Sequence, residues 1–126
     1  MVRKSFIFFL FIVGLCWFSY RSVKEGHLQN YIKEHPDLSW APSVQYHLGI
    51  FYYMFHNYPK AEEAFRFFLK TYPDAPKAIN AHYFLIRVYE DAGKLAELEQ
   101  EAERFLQKYP KTTYTVKVQK KLQWLK

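Results

Sequence analysis

The sequence predicts an all-α protein: a short solenoid of helical hairpins behind an apolar N-terminal helix. Three observations carry this. One stretch occurs three times, as Tyr31-Ile32-Lys33-Glu34-His35-Pro36-Asp37, Phe68-Leu69-Lys70-Thr71-Tyr72-Pro73-Asp74 and Phe105-Leu106-Gln107-Lys108-Tyr109-Pro110-Lys111. Pro36, Pro73 and Pro110 keep a single interval, and Leu48, Leu85 and Leu122 keep it too. A fixed period of roughly 20–50 residues marks stacked supersecondary units. Between the prolines, apolar residues recur at helical spacing, as in Val44, Leu48, Phe51, Tyr52 and Phe55.

The first element is the uncharged run from Phe6 to Phe18, FIFFLFIVGLCWF. With its small polar neighbours it is still shorter than the roughly 20 residues that span a bilayer comfortably. Aromatic rings favour the membrane interface, and Arg3, Lys4, Arg21 and Lys24 flank the run, so snorkelling can extend a short span. A run with no polar face argues against the buried helix of a soluble protein. The leading expectation is an uncleaved membrane anchor over residues 1–21, with Phe6, Phe9, Val13, Trp17 and Phe18 meeting lipid. Two alternatives stay open. A cleaved signal wants small residues before the cut, yet Trp17 stands two positions before Ser19 and Ile12 two before Gly14. A lipoprotein wants a small residue before its cysteine, yet Leu15 precedes Cys16.

Residues 22–126 form the predicted repeat domain. The anchor helix is expected to run on through Leu28 and Ile32, with Gly26 as a bend, until His35-Pro36 stops it. The array then starts almost directly behind the anchor, and without a flexible linker it is expected to stand rigidly at the membrane. Ser39 is the expected cap of the next helix, with Pro42 in its first turn. His56 to Pro59 turns the chain into a helix carrying Ala61, Ala64, Phe65, Phe68 and Leu69. Asp74 is the expected cap of the following helix, which has Pro76 early and Ala81, Phe84, Leu85, Val88 and Tyr89 along one face. Asp91 to Lys94 leads to a helix with Leu95, Leu98, Ala102, Phe105 and Leu106. Thr112 or Thr113 should open the last one, with Val116, Val118, Leu122 and Leu125. The count is about six helices including the anchor.

Leu48-Gly49, Tyr52, Ala61, Phe65 and Pro73 resemble the tetratricopeptide (TPR) pattern. Gly49 and Ala61 let two helices approach closely, while Phe65 fills the space between units. The second unit keeps Leu85, Tyr89 and Pro110 but has Ile86 for the glycine and Leu98 for the alanine. Its hairpin should be wider, or the side chains facing it smaller. The interval exceeds the usual ~34 residues, and the longer connection after each proline resembles the bacterial envelope group of these repeats. That group includes outer-membrane-assembly lipoproteins and periplasmic coordinators of cell-wall work. The resemblance covers roughly residues 22–126.

Composition and motifs narrow the chemistry. The 126-residue chain is 50% hydrophobic with a net charge of +6. Much of the positive excess flanks the apolar run, so it is poor evidence for nucleic-acid binding, and none is expected. The single cysteine, Cys16, allows no intrachain disulfide and no Cys-based zinc site. The five histidines make no helical metal motif, and most are expected at the surface or in a groove. No glycine-rich phosphate loop or nucleophile elbow occurs. Glu97, Glu99, Glu101 and Glu103 spread around a helix as a solvated face. No catalytic residue, cofactor or metal is expected, and the chain is read as a non-enzyme.

Binding remains. In TPR arrays the first helix of each hairpin lines the groove, which implies a partner site of Tyr46, Ile50, Tyr53, Met54, Asn80, Tyr83, Arg87, Glu90 and Trp124. Tyrosine, arginine, methionine and tryptophan are common interface anchors. The opposing reading is that Tyr46 and Tyr83 simply pack against neighbouring helices. Tyr46 and Ile50 stand where some arrays carry a carboxylate clamp, which disfavours a chaperone-tail adaptor. Lys117, Lys120 and Lys121 form a basic C-terminal face. The expectation is a TPR scaffold and accessory subunit of a larger membrane or envelope complex, with a protein partner. It would cross the bacterial inner membrane once, its repeats in the periplasm. The alternative is a purely structural subunit whose transmembrane helix makes the main contact.

Overall fold

A computed structural model describes residues 2–126 of the chain as seven helices. They are α1 (Val2–Lys24), α2 (His27–Glu34), α3 (Ala41–Met54), α4 (Tyr58–Thr71), α5 (Ala78–Asp91), α6 (Leu95–Lys108) and α7 (Thr115–Leu125). They form two compact units, one ending at His35 and the other covering Pro36–Lys126.

In the first unit the apolar run is one helix with no buried residue. At ~1.5 Å per residue its 23 residues reach about 34 Å, so the helix outlasts the apolar run and is long enough to cross a bilayer. Phe6, Phe9, Val13, Trp17 and Phe18 are all exposed on it. The expected continuous helix is interrupted. Gly26 takes φ 85°, a left-handed conformation open to glycine at no steric cost, so α1 ends and α2 restarts. This break is why seven helices are found where six were expected.

The second unit is a succession of helical hairpins in which each helix packs on the next, α3 through α7, and α3 also meets α5. Its core is Leu48, Tyr52, Ala61, Ala64, Phe65 and Phe68 in the first hairpin, and Ala81, Leu85, Ile86, Val88, Tyr89, Ala102 and Phe105 in the second. Val118 and Leu122 bring α7 into it. Each large apolar side chain fully buried contributes about 1.5–3 kcal/mol. Phe65 joins the two hairpins by stacking on Phe84 at 6.0 Å between ring centres. A Cβ placed on Gly49 would lie 2.6 Å from the Phe65 ring, which confirms the close approach read from the Leu-Gly pair.

The prolines end α2, α4 and α6 as expected, but the helices after them do not start as expected. Trp40, Lys77 and Tyr114 stand at the N-cap positions in place of Ser39, Asp74 and Thr112 or Thr113; α3, α5 and α7 begin at Ala41, Ala78 and Thr115, and Pro76 lies outside α5. At all three places the same backbone turn opens the helix. The N–H of Ala41, Ala78 and Thr115 donates to the carbonyl of Leu38, Ala75 and Thr112, at 2.9, 2.9 and 3.2 Å. The long connections are therefore a repeated turn. Tyr72 pins the first by donating its hydroxyl to the Pro36 carbonyl at 2.8 Å, and the Thr115 hydroxyl donates to the Tyr109 carbonyl at 3.0 Å in the last.

Two polar residues are placed differently from expectation. Glu101 leaves the solvated face predicted for the glutamates and is buried, while Glu97, Glu99 and Glu103 are exposed. His82, expected near the surface, is buried against it, with Nε2 2.9 Å from the carboxylate. Leu95, Phe55 and Val116, read as core-facing, are exposed. At the third copy of the register, Gln119 and Gln123 stand where Gln45 and Gly49 are buried in the first; both are exposed, giving α7 a polar outer side.

Candidate functional site

The first helices of the hairpins, α3, α5 and α7, present one register to the same side. Ser43, Asn80 and Lys117 are equivalent, as are Tyr46, Tyr83 and Lys120, and Ile50, Arg87 and Trp124. The side chains change from aromatic and apolar on α3 to basic on α7. That gradient builds the site.

Its α3 end is filled. Tyr46 is only 7% exposed, packed edge-on against Phe65, Phe68 and Phe84. It is a core residue, and the aromatic cluster around it is the reason; as a freely presented groove residue the expectation needs correcting. Ile50 and Tyr53 are half-buried, and Met54 is exposed at the end of α3. Asn80 is engaged: its amide donates to the Tyr114 hydroxyl at 2.8 Å, and Tyr83 stacks on the same Tyr114 ring at 4.4 Å. Tyr114 is the residue just before α7, where the sequence predicts the last helix already under way from Thr112 or Thr113.

The open part is a groove between α5 and α7, with a cavity volume of about 710 Å³. Four of the nine expected groove residues meet there, Tyr83, Arg87, Glu90 and Trp124, together with the three basic-face residues Lys117, Lys120 and Lys121. Tyr46, Ile50, Met54 and Asn80 do not line it, nor does Tyr53 directly. Leu95, Leu98 and Leu125 add an apolar side. The exposed Leu95 thereby finds its place, which the apolar stripe of α6 could not reveal.

Within the groove several charges are already used. Lys121 pairs with Glu90, and the Tyr53 hydroxyl donates to Asp91. Burial and then the Asp91 hydrogen bond push the Tyr53 hydroxyl up to about 12. The Arg87 guanidinium lies 5.4 Å from the Tyr53 ring centre and 5.7 Å from that of Phe84, a cation–π arrangement. Lys117 and Lys120 are exposed, and Trp124 is 90% exposed. The floor is thus fixed by internal pairs, while two lysines and an indole face outward. Among the described residues no group of three or more His, Cys, Asp or Glu side chains is placed to hold a metal ion. The arrangement offers recognition surface: cationic, aromatic and apolar at once.

A short array of TPR-like hairpins, preceded in the chain by an apolar helix long enough to cross a membrane, defines a helical-repeat protein. The chain belongs to the YfiO family, described as outer membrane lipoprotein, whose pattern it matches over residues 19–126. The match starts after Cys16 and takes in both hairpins, the groove and α7. No curated protein matches the chain. TPR-like proteins of this family act through protein–protein contacts in membrane complexes and are of a non-catalytic scaffold type.

Proposed function

We propose that the protein is a membrane-tethered scaffold that holds a segment of a partner protein in the α5–α7 groove, as a small accessory subunit of a larger envelope complex. The observation that carries this reading is the groove itself. It has the volume of a binding site, a floor fixed by the Arg87–Tyr53–Asp91 and Lys121–Glu90 pairs, and an outward-facing Trp124 beside Lys117 and Lys120. Tethering the array through α1 raises the effective concentration of the groove for a partner in the same membrane. In this reading α1 is an uncleaved anchor in the inner membrane, with the repeats on the periplasmic side. The family description favours a different tether, a lipid on Cys16 and an outer-membrane address. Mass spectrometry of the intact protein separates the two: an unmodified chain retaining residues 1–21 supports the anchor, and a diacylglyceryl group on Cys16 replaces it.

Site-specific photo-crosslinking in the native membrane tests the groove. A photoreactive residue at Trp124 or Lys120 should give one discrete protein adduct, lost on Arg87→Ala, while the same residue at Gln107 should give none. Adducts from Val13 alone would sink the groove reading and favour a structural subunit that makes its contacts through α1.

A further inference from the structure

A second cavity, of about 460 Å³, lies between α4 and α6, the second helices of the two hairpins. Its rim is basic on both sides. Arg66 and Lys70 are one turn apart on α4, and Arg104 and Lys108 are one turn apart on α6. Under them sits the buried Glu101, which also lines the cavity together with His82. The equivalent position in the first hairpin is Ala64, which has no charge to satisfy.

A carboxylate in a helical core is costly unless its oxygens are engaged. Here both are. Oε2 is 2.9 Å from His82 Nε2, and Oε1 accepts from Arg104 Nη1 at 2.8 Å, with Arg66 Nη1 at 3.9 Å. Burial pushes the Glu101 carboxyl up, but the His82 hydrogen bond and the charges of Arg104 and Arg66 outweigh it, leaving it below the usual range and ionised. The ion pair uses one corner of the Arg104 fork, and a guanidinium has five N–H donors. The remaining donors stay at the cavity rim, already oriented. Arg66 is held from behind by Glu62, at 3.2 Å from Nε, and by the Tyr89 hydroxyl, which accepts from Nη2, so Nη1 is the corner it turns to the cavity. Among the described residues no carboxylate pairs with Lys70 or Lys108.

We propose that the α4–α6 cavity is a phosphate-binding site in which Glu101 positions Arg104, and Glu62 with Tyr89 positions Arg66, for a multiply charged oxyanion. Cations on opposite walls suit a group carrying two or more negative charges; a single carboxylate would engage one wall only. Arginine forks match the oxygens of a phosphate bidentately, and the lysines supply point charge. The volume lies within the ~300–1,000 Å³ of small-molecule sites. The same chemistry is offered by a soluble phosphate ester and by a lipid headgroup.

The test uses the full chain in nanodiscs of POPC, titrated with inorganic pyrophosphate by calorimetry and by the arginine Nε–H resonances. Saturable binding should shift Arg104 and Arg66, and Arg104→Gln with Lys108→Gln should weaken it about tenfold or more. Lys111→Gln with Lys126→Gln removes the same charge outside the cavity and should leave affinity within about twofold. Glu101→Gln is the sharper variant. It removes a negative charge, so general electrostatics would tighten binding, whereas loss of positioning weakens it. Repeating the titration in POPC–POPA discs, whose phosphatidic acid carries a phosphomonoester, identifies the source: competition by POPA points to lipid phosphate, and unchanged affinity to a soluble ester. No saturable binding in either disc, equal losses in the two double variants, or tighter binding by Glu101→Gln would each overturn the proposal.

Discussion

The two hairpins, α3–α4 and α5–α6, are built on one register yet solve the same packing problem in opposite ways. In the first, Gly49 has no side chain and Phe65 fills the gap; in the second, Ile86 supplies the bulk and Ala102 recedes. All but Gly49 are side chains that reach complete burial. The volume has moved from one helix to the other, so the second hairpin keeps its core without the glycine of the TPR pattern. The polar interior is exchanged as well. Gln45 donates to the backbone carbonyl of Ala64 at 2.9 Å, and at the same two positions His82 meets the Glu101 carboxylate at 2.9 Å. The turns share a left-handed residue but not its type: His56 takes φ 57° where Gly93 takes φ 72°. The pattern thus constrains the sum across a pair of positions more tightly than either residue.

The sharpest way to break this comparison is to mix its halves. Gly49→Ile alone drives a branched side chain into the Phe65 ring and should cost about 3 kcal/mol. Phe65→Ala alone should cost about 3–5 kcal/mol through the cavity it leaves. The double variant copies the second hairpin and should lose much less than the sum, with a coupling of at least ~1 kcal/mol in urea unfolding. Additive losses would show that the two pairs are not interchangeable.

Next is the polar exchange. Glu101→Ala leaves the His82 ring nitrogen buried without its partner and should cost about 1–3 kcal/mol. Adding His82→Gln restores the arrangement of the first hairpin, since a glutamine there can reach the carbonyl of residue 101. Thermal melts should show recovery of most of the loss; a further drop would refute the equivalence.

Acid should erase part of the difference between the hairpins. Glu101 is held below its ordinary value of about 4.5, so the folded state resists protonation more than the unfolded chain. Its contribution is present in full above that ordinary range and is lost as pH falls through the folded value. The stability gap between wild type and Glu101→Gln should therefore narrow from neutral pH towards pH 3. A gap that widens on acidification would contradict the ion-pair assignment.

The smallest effect is at the turns. A non-glycine residue in the left-handed region costs about 1 kcal/mol, and the 3.0 Å contact between His56 and the Tyr58 hydroxyl recovers some of it. His56→Gly should stabilise the protein by about 0.5 kcal/mol, read as a small rise in the unfolding midpoint. Gly93→His, its mirror, should lower it.

The sequence alone determined the all-helical class, the hairpin period, the proline stops, the close helix approach at Gly49 and the apolar N-terminal helix. These are legible because they depend on local spacing and on residues with one dominant conformational effect. It also posed the right alternative at Ile86, a wider hairpin or smaller facing side chains, and the small Ala102 met it. Tertiary structure decided the rest. Tyr46 and Tyr83 occupy one register position, yet Tyr46 is enclosed by Phe65, Phe68 and Phe84 while Tyr83 faces Tyr114 and a groove. Glu101 reads as one glutamate of an exposed cluster, and only its juxtaposition with His82 and Arg104 reveals a buried ion pair. Leu95 reads as core and stands at the groove edge. In each case the outcome depends on which side chain arrives from another helix, and helical periodicity carries no record of that.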